Sequence, residues 1–350
     1  MTHPMVKIDG RQIGPEHPIY VIAEISANHN GDLGQALEIM QAAADAGASA
    51  VKLQTYTAQT MTLDSSAHDF MITGGLWDGY SLWDLYEKAH TPWDWHEALF
   101  AKGKELGVTV FSTPFDATAV DFLEDLNAPA YKVASFEVTD LPLVRRIAKT
   151  GKPMIISTGM ADFSEITDVI ETARKFGNGE LIMLHCISGY PTPPEDANLQ
   201  TLAHLRDTFG VVVGLSDHSL GTEVSVAAVA LGACVIEKHV TLHRKDGGFD
   251  SSFSLEPQEL TSLVRQCRSV YSALGSVNYD RKPSEVANLK FRRSLYVVED
   301  VAAGEPLTEK NVRSIRPGYG LAPKHLDEIL GQRIKNDLKC GTPLDWSMLE

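Results

Sequence analysis

The sequence predicts an α/β fold, namely a (β/α)8 TIM barrel with a small β-rich domain at its C-terminal end. Three observations favour this fold. Eight apolar runs of strand length recur over about 260 residues. Segments of helical periodicity, such as "LGQALEIMQAAADAG" and "FSEITDVIETARKFG", separate the runs and end in glycine. The periodic pattern then stops near Gly275. A doubly wound open sheet is the competing arrangement of such units.

The eight runs are apolar throughout rather than alternating, which is typical of strands buried on both faces. In chain order the predicted strands are 19–26, 50–55, 108–114, 130–135, 153–158, 181–186, 211–217 and 234–241. Residues 1–275 are predicted to form the barrel domain, beginning with a hairpin-like segment at 1–16. A linker at 276–290 and a small β-rich domain at 291–350 are predicted to follow, because "GSVNYDRKPSEVANLKFRRS" has no periodicity and short strands and turns come after it.

A long loop follows the second predicted strand. It covers about 36 residues, 56–91, and includes "LWDGYSLWDLYEKAH". Thr91, Pro92 and Asp94 fit the N-cap, first-turn proline and N3 acid of the next helix. Loops at this end of barrel strands often carry function. We therefore expect the aromatic side chains of the loop to be candidates for lining a substrate pocket, namely Trp77, Tyr80, Trp83 and Tyr86.

Composition excludes several classes of function. The chain is 43% hydrophobic and 22% charged, which is typical of a folded globular protein. A net charge of −15 argues against a nucleic-acid partner, since a polyphosphate would be repelled. No apolar run is long enough to span a membrane, and the first residues lack a signal-peptide core, so we expect a cytoplasmic protein with no membrane partner. Four cysteines without CxxC pairing predict reduced thiols.

Polar side chains gather at the carboxyl ends of the predicted strands, where TIM barrels place their chemistry. In strand order these are Glu24, Ser26, Asn28, Lys52, Gln54, Ser112, Thr113, Lys132, Ser135, Glu137, Ser157, Thr158, His185, Ser188, Tyr190, Ser216, Asp217, His218, Glu237 and His239. Buried lysines are costly unless they are paired, so lysines from two strands predict an anion site. The groups expected to hold a phosphate and a carboxylate there are Lys52, Lys132, Thr113, Ser135, Ser157 and Ser216.

Two histidines close the last two predicted strands. His218 and His239 end neighbouring strands of a closed barrel, so both imidazoles are expected at one point over the barrel mouth. Two neutral imidazoles, completed by oxygen ligands from water and substrate, suit a catalytic divalent ion with open positions. The pair therefore predicts a metal site.

The chain resembles the sialic acid synthase family. The motifs that carry the resemblance occur in order along nearly the whole chain: "AEISANHNG", "VKLQTYT", "FSTPFD", "YKVASFEVTDLPL", "ISTGM", "HCISGYPTP", "GLSDHSLG", "EKHVTLHR" and "RPGYG". Such enzymes join phosphoenolpyruvate to an N-acylated six-carbon sugar and release phosphate. The resemblance implies a TIM barrel followed by a domain similar to type III antifreeze protein, known as a SAF domain.

The resemblance also implies residue roles. His218 and His239 would bind Mn2+, or alternatively Mg2+ or Co2+. The residues implied to hold phosphoenolpyruvate are Lys52, Thr113, Lys132, Ser135, Ser157, Ser188 and Ser216. Those implied to face the sugar or the proton transfers are Glu24, Glu137, Tyr190 and Asp250. Arg316, in "RPGYG", would cross to the partner subunit and contact the N-acyl group of the sugar, which implies a domain-swapped homodimer.

Substrate choice within the family is indicated by one difference and two similarities. Ser188 stands two residues before the tyrosine of "SGYPTP", where sialic acid synthases have asparagine. The stretches "LWDGYSLWDLYEKAHTPWDW" and "DGGFDSSFSLEP" resemble pseudaminic acid synthases. The resemblance therefore implies 2,4-diacetamido-2,4,6-trideoxy-L-altrose as the sugar, with N-acetylneuraminate or legionaminate synthesis as alternatives.

The implied mechanism uses general acid–base chemistry. Carbon 3 of the enol attacks the aldehyde carbon, water adds to carbon 2, and phosphate leaves as the C–O bond breaks. Glu24 is the candidate for the water proton, and Glu137 for a sugar hydroxyl or for ring opening. Two alternatives of other classes remain at this point. A Schiff-base aldolase would also place Lys132 at a strand end, and a carbohydrate-binding protein would also use the aromatic loop.

Overall fold

Eight parallel strands close into a barrel in this computed structural model, which describes residues 4–350. A two-stranded antiparallel hairpin precedes the barrel, and its strands are β1, Val6–Ile8, and β2, Arg11–Ile13. The barrel strands are β3 Tyr20–Glu24, β4 Ala50–Thr55, β5 Thr109–Pro114, β6 Tyr131–Val133, β7 Met154–Ser157, β8 Leu181–Cys186, β9 Val212–Asp217 and β10 Val235–His239. The TIM barrel prediction is confirmed, and the open doubly wound sheet is wrong.

Helices follow the barrel strands. They are α1 Leu33–Asp45, α2 Ala58–Met61, α3 Leu82–Ala89, α4 His96–Leu106, α5 Ala117–Asp125, α6 Leu141–Ala148, α7 Phe163–Phe176, α8 Thr201–Phe209, α9 Glu223–Ala230 and α10 Pro257–Leu274. Aspartates cap several of them. The Asp162 side chain accepts from the Glu165 amide at the start of α7, and the Glu165 side chain accepts from the Asp162 amide. Such caps satisfy amides that the helix itself leaves unpaired.

The closure of the barrel places the first strand beside the last. In the β3–β10 pair, Glu24 lies opposite His239, and in the β9–β10 pair Asp217 lies opposite Lys238. Side chains of a strand alternate between the lumen and the surrounding helices. Ser216 and Glu237, which are also paired, contact each other inside the barrel. The register of the last strands therefore decides which side chains reach the lumen.

Apolar packing fills two layers. One large cluster lies between the barrel and its helices, and a second cluster fills the lumen with residues such as Tyr20, Phe111 and Ile155. Val6 and Ile13 of the hairpin belong to the lumen cluster. Apolar packing thus occupies the amino-terminal part of the barrel, and the polar strand ends are left for the opposite mouth.

Several predicted strands are shorter at their carboxyl ends than the sequence indicates. The first ends at Glu24 rather than at 26, because Ser26 has a φ of 50°, in the left-handed region that a strand cannot use. The fourth ends at Val133, since Ser135–Glu137 forms a 3-10 turn. Both departures occur where polar residues turn over the barrel mouth.

The predicted long loop contains two helices, α2 and α3, and the predicted start of the helix after it is wrong. Thr91 does not cap a helix. Its hydroxyl contacts His29 Nε2 at 3.4 Å, and Trp93–Trp95 forms a 3-10 turn before α4 begins at His96. The Thr-Pro-x-Asp pattern therefore introduces the 3-10 turn instead of the α-helix.

The described chain divides into two compact units, of which the first ends at Gly275 and the second spans Ser276–Glu350. The second unit contains α11, Pro283–Val286, a short antiparallel pair formed by β11, Ser294–Val297, and β12, Val312–Ile315, and the helix α12, Leu326–Ile329. Leu295, Val297, Leu307 and Ile334 contribute to a separate apolar core in this unit. Residues 1–3 of the predicted hairpin-like segment 1–16 lie outside the described residues.

Two further properties follow from the described residues. All four cysteines are free thiols, three of them buried and Cys340 exposed. Within residues 4–350, no helix combines the length and the apolar character that a membrane-spanning helix requires.

Candidate active site

A cavity of about 440 Å³ opens at the carboxyl ends of the barrel strands. Eleven of the fourteen predicted site residues line it: Glu24, Lys52, Lys132, Ser135, Glu137, Ser157, Tyr190, Ser216, His218, His239 and Asp250. The structure therefore brings together side chains from seven of the eight barrel strands and the segments that follow them. The other three predicted residues are placed differently. Thr113 Oγ1 accepts from Lys52 Nζ at 3.2 Å, Ser188 lies in the segment after β8, and Arg316 belongs to the second unit.

Two lysines and two glutamates form an ion-pair network at the base of the cavity. Lys52 Nζ lies 2.9 Å from Glu24 and 3.8 Å from Glu237, and Lys132 Nζ lies 3.2 Å from the same oxygen of Glu237. Ser216 Oγ donates to that oxygen at 3.1 Å. All four ionisable side chains are at most 5% exposed. Glu237 thus joins the two lysines, and sequence reasoning recorded it as a strand-end residue without giving it a role.

Burial controls the protonation of this network. Burial raises the pKa of Glu24 to about 7, against the lowering effect of Lys52. Burial acts in the same direction on Glu237, but the charges of Lys132 and Lys52 outweigh it and lower its pKa. Glu237 therefore provides the permanent negative charge between the lysines, and Glu24 is the carboxyl that can exchange a proton near neutral pH.

The two histidines lie side by side at the mouth of the barrel. Their ring centroids are 5.3 Å apart, and the Tyr190 ring stacks at an angle on His218 with a centroid separation of 4.5 Å. His218 Nδ1 donates to the Ile187 carbonyl at 3.1 Å, so in the neutral imidazole the lone pair lies on Nε2. Burial, followed by the neighbouring His218, holds the pKa of His239 well below its ordinary value, so this imidazole is neutral.

The donor set fits a divalent ion of the kind that sequence analysis implied. His239 Nδ1 is buried and has no hydrogen-bond partner within the described residues. Among residues 4–350 no group of three His, Cys, Asp or Glu side chains is arranged to hold a metal ion. The protein would therefore supply two nitrogen ligands, and oxygens of water or substrate would supply the rest.

Asp250 and Ser26 form a second polar group beside the histidines. Ser26 Oγ donates a hydrogen bond to Asp250, and Gln54 Nε2 donates to Ser26 Oγ at 3.2 Å. Burial raises the pKa of Asp250. Asp250 Oδ2 lies 4.0 Å from His239 Nδ1. Ser26 has a left-handed backbone, which sequence reasoning had no means to detect and which aims its hydroxyl at the carboxylate.

Glu137 stands on the opposite side of the mouth, on the 3-10 turn after β6. Burial raises its pKa to about 7, although Lys132 acts to lower it. Its Oε2 is buried without a hydrogen-bond partner within the described residues. Glu137 is therefore a carboxyl that holds a proton up to neutral pH and faces the cavity.

The long segment after β4 covers part of the cavity with apolar side chains. Trp77 and Tyr86, as predicted, line the cavity, whereas Tyr80 packs edge-on against Phe249 and Trp83 is outside the lining. Trp77 Nε1 donates to the Phe249 carbonyl at 3.2 Å, which ties the segment to the loop carrying Asp250. We call one part of the aliphatic and aromatic lining the apolar wall: Met61, Ile72, Leu82, Leu85 and Phe115.

A parallel eight-stranded barrel with paired lysines, carboxylates and histidines at its carboxyl mouth defines the site of a TIM-barrel enzyme. The model of the NeuB family matches residues 39–279, and the model of the SAF domain matches residues 292–350. The chain belongs to the NeuB family, and the resemblance stated from its motifs is confirmed.

Curated relatives cover almost the whole chain. A protein named pseudaminic acid synthase from Helicobacter pylori is 43% identical over 95% of this chain and 98% of its own length. A pseudaminic acid synthase from Campylobacter jejuni serotype O:2 is 45% identical over 93% of this chain and 95% of its own. An N,N'-diacetyllegionaminic acid synthase from Legionella pneumophila is 35% identical over 98% of both chains.

Solved structures agree with the architecture. The spore coat polysaccharide biosynthesis protein spsE from Bacillus subtilis aligns with a TM-score of 0.68 and 32% identity over 99% of both chains. An N-acetylneuraminic acid synthetase from Leptospira borgpetersenii, in complex with citrate, aligns with a TM-score of 0.73 and 31% identity. That alignment covers 83% of this chain and 98% of the Leptospira chain. The barrel followed by a SAF domain is therefore the fold of this chain.

Proposed function

We propose that this chain is a phosphoenolpyruvate-dependent synthase. It condenses phosphoenolpyruvate with 2,4-diacetamido-2,4,6-trideoxy-L-altrose and forms pseudaminic acid and phosphate. The observation that carries the proposal is one cavity in which buried lysines, a histidine pair and an apolar wall meet. The names of the relatives at 43% and 45% identity support the choice of sugar. A Schiff-base aldolase is disfavoured because both buried lysines are engaged by Glu237.

Phosphoenolpyruvate binds at the base of the cavity in this proposal. Lys52 and Lys132 bind its phosphate and carboxylate, and Glu237 holds the two ammonium groups in place between them. Hydroxyl groups of the surrounding strand ends complete the anion site, namely those of Thr113, Ser135, Ser157, Ser188 and Ser216. The hydroxyl oxygens of Ser157 and Ser188 have no hydrogen-bond partner within residues 4–350. Buried polar groups without partners favour a polar ligand at this position.

His218 and His239 hold the divalent ion, for which we propose Mn2+, with Mg2+ or Co2+ as alternatives. Such an ion supplies Lewis-acid polarisation of a substrate carbonyl. Tyr190 packs on His218 and confines its ring. Asp250, hydrogen-bonded by Ser26, contacts the sugar beside the histidines.

The residues of the chain manage the protons of the condensation. Carbon 3 of phosphoenolpyruvate forms a bond to the aldehyde carbon as the C=O double bond opens, and the aldehyde oxygen takes up a proton to become a hydroxyl group. Water adds to carbon 2. The bond between carbon 2 and the bridging oxygen then breaks, and that oxygen leaves with phosphate. Glu24 accepts the proton of the water, since it is buried next to Lys52 at the base of the cavity. Glu137 contacts a sugar hydroxyl and assists ring opening from the opposite side of the mouth.

The apolar wall supports a deoxygenated sugar that carries two acetamido groups. Three methyl groups belong to that sugar, one at carbon 6 and one in each acetamido group. Ile72, Leu82 and Leu85 offer surface on which methyl groups are buried at a gain of about 0.8 kcal/mol for each group of that size. A 6-hydroxyl group would lose hydrogen bonds to water against the same surface.

We expect a large preference between sugars. With phosphoenolpyruvate and Mn2+, the enzyme should release phosphate at least about 100-fold faster, in kcat/KM, with the diacetamido-trideoxy-L-altrose than with N-acetylmannosamine. The reason is that polar groups placed for the second amide are left unpaired by a sugar without it. A coupled phosphate assay measures both rates. Equal rates would remove the pseudaminic assignment, and a preference for the legionaminic acid precursor would replace it.

We also propose a domain-swapped homodimer located in the cytoplasm, in which Arg316 contacts the N-acyl group of the sugar bound in the partner subunit. An arginine is suited to this role because its planar guanidinium holds several N–H donors in a fixed fork that can donate to an amide carbonyl. In a closed dimer of this kind, each active site combines a barrel from one chain with a C-terminal domain from the other.

Complementation tests the swapped site. Glu24→Gln and Arg316→Ala chains are expected to be nearly inactive alone. After co-refolding at equal amounts, about half of the dimers are mixed, and one of the two sites in each mixed dimer is sound, so about a quarter of wild-type activity should return. Phosphate release measures the recovery. If Arg316 serves its own barrel, every site carries one lesion and mixing restores nothing.

A further inference from the structure

Asp217 and Lys238 form an ion pair in the layer between the barrel and its helices. Lys238 Nζ lies 2.9 Å from Asp217 Oδ2, and the two side chains are 0% and 2% exposed. Asp217 also accepts from Ser225 Oγ of α9 at 2.5 Å, so the pair faces outward. Their neighbours on the strands, Ser216 and Glu237, face the lumen. The pair is therefore separate from the cavity.

Stability alone does not account for this pair. The surrounding layer is built from apolar residues such as Leu215, Val229 and Ile236. Replacing a buried ion pair by apolar residues of similar volume often leaves stability unchanged or improves it. Charges in such a layer therefore favour a role in specifying one arrangement of the strands.

The hydrogen bonds of the pair enclose His218. Asp217 precedes this histidine and accepts from both the Ser219 amide, at 2.8 Å, and Ser219 Oγ, at 2.6 Å. Lys238 donates to the Ser219 carbonyl at 2.6 Å as well as to Asp217. One lysine of β10 thus holds the residue before His218 and the residue after it.

The same pair fixes the position of His239 relative to His218. Asp217 and Lys238 are direct partners in the β9–β10 register, and each is followed by one of the two histidines. A slip of one residue would turn the charged side chains into the lumen and the histidines out of it. The 5.3 Å separation of the imidazole rings depends on this register and on the turn that carries His218.

We propose that Asp217 and Lys238 are positioning residues that set the separation of His218 and His239 for a divalent cation. We call them the Asp217–Lys238 clamp. The clamp rests on the proposed metal role of the histidines, but it makes a separate claim. It states that cation affinity depends on two residues that contact neither the cation nor the substrate.

The test is the Mn2+ affinity of the full-length protein after removal of metal with chelator. The variant Asp217→Asn/Lys238→Met leaves no unpaired buried charge and retains an acceptor for the Ser219 amide, but it removes the tie to β10. Electron paramagnetic resonance measures the concentration of free Mn2+ during the titration, and the Kd is obtained from these concentrations. We expect the Kd to rise about 10- to 100-fold, the range typical of residues that orient metal ligands.

A matched control separates positioning from general stability. Val144→Ala creates a cavity in α6, which follows the strand four places from β10 around the barrel. Thermal unfolding in chelator is measured for both variants. The clamp predicts that Val144→Ala lowers the unfolding temperature and leaves the Mn2+ Kd unchanged. The double variant should raise the Kd whether or not its unfolding temperature falls.

Three other results decide the inference. An unchanged Kd in the folded double variant would overturn the clamp and leave the metal role of the histidines intact. Wild-type protein that binds no Mn2+ would overturn both. If the double variant has no cooperative unfolding transition, Asp217→Asn/Lys238→Gln replaces it, because its two amides leave no unpaired buried charge and remain able to hydrogen-bond. This variant should weaken binding in the same direction by a smaller factor, and an unchanged Kd there would also contradict the clamp.

Discussion

His218→Ala and His239→Ala are each expected to abolish the binding of divalent metal and to lower kcat by at least about 1,000-fold. The structure offers two imidazoles, 5.3 Å apart, as the only histidine ligands that the described cavity lining provides. Losing either one leaves a single protein ligand. Polarisation of a carbonyl by a metal ion is worth several kcal/mol of barrier, which corresponds to this loss of rate.

Metal content by atomic emission and phosphate release should fall together in these variants. His185→Gln is the matched control, because His185 is a buried histidine of the neighbouring strand β8 that lies outside the cavity lining. Its Nε2 donates to the Ala197 carbonyl at 2.7 Å, and the glutamine amide can also donate. Full activity of either alanine variant, or of wild-type enzyme in excess chelator, would refute the role of the pair.

Glu137→Gln is expected to lower activity and to make the enzyme more stable at alkaline pH. Burial raises the pKa of Glu137 to about 7 from a model-peptide value of 4.5. Between pH 4.5 and about pH 7 the folded protein retains a proton that the unfolded chain releases, so the carboxyl lowers the stability as the pH rises. A pKa raised from 4.5 to about 7 corresponds to a cost of about 3 kcal/mol, all of it present above pH 7.

The glutamine side chain does not ionise, so the variant does not lose this stability as the pH rises. The difference in the free energy of unfolding between Glu137→Gln and wild type should therefore increase by about 2–3 kcal/mol between pH 5 and pH 8. Urea unfolding at the two pH values measures it. Glu171→Gln, at an exposed position of α7, is the control and should leave the pH dependence unchanged. A constant difference for Glu137→Gln would contradict the burial of a carboxyl that titrates near neutrality.

Much of the barrel could be predicted because its strands are buried on both faces. A short run such as 181–186, apolar apart from His185, is typical of a strand buried on both faces, and the structure places β8 at Leu181–Cys186. The residue at which each strand ends could not be predicted in this way, because the residues there are polar and belong to the site. The left-handed Ser26 and the 3-10 turn at Ser135–Glu137 ended two strands early.

The residues of the site could be predicted from the sequence, but the contacts between their side chains could not. Alternation along β10 indicates that Glu237 and His239 face the same side, and this signal could have identified Glu237 as a site residue. That one carboxylate oxygen joins Lys52, Lys132 and Ser216 depends on three other strands, and no local pattern encodes it. The outward Asp217–Lys238 clamp depends in the same way on the β9–β10 register.

The most direct test of the central claim follows the bridging oxygen of phosphoenolpyruvate. Phosphoenolpyruvate labelled with 18O at the bridging position is incubated with the enzyme, Mn2+ and the diacetamido-trideoxy-L-altrose. Mass spectrometry of both products then locates the label. The proposed mechanism predicts a nine-carbon acid without label and phosphate that carries one 18O, formed only when the sugar is present. Label retained in the acid, or phosphate released at the same rate without sugar, would contradict it.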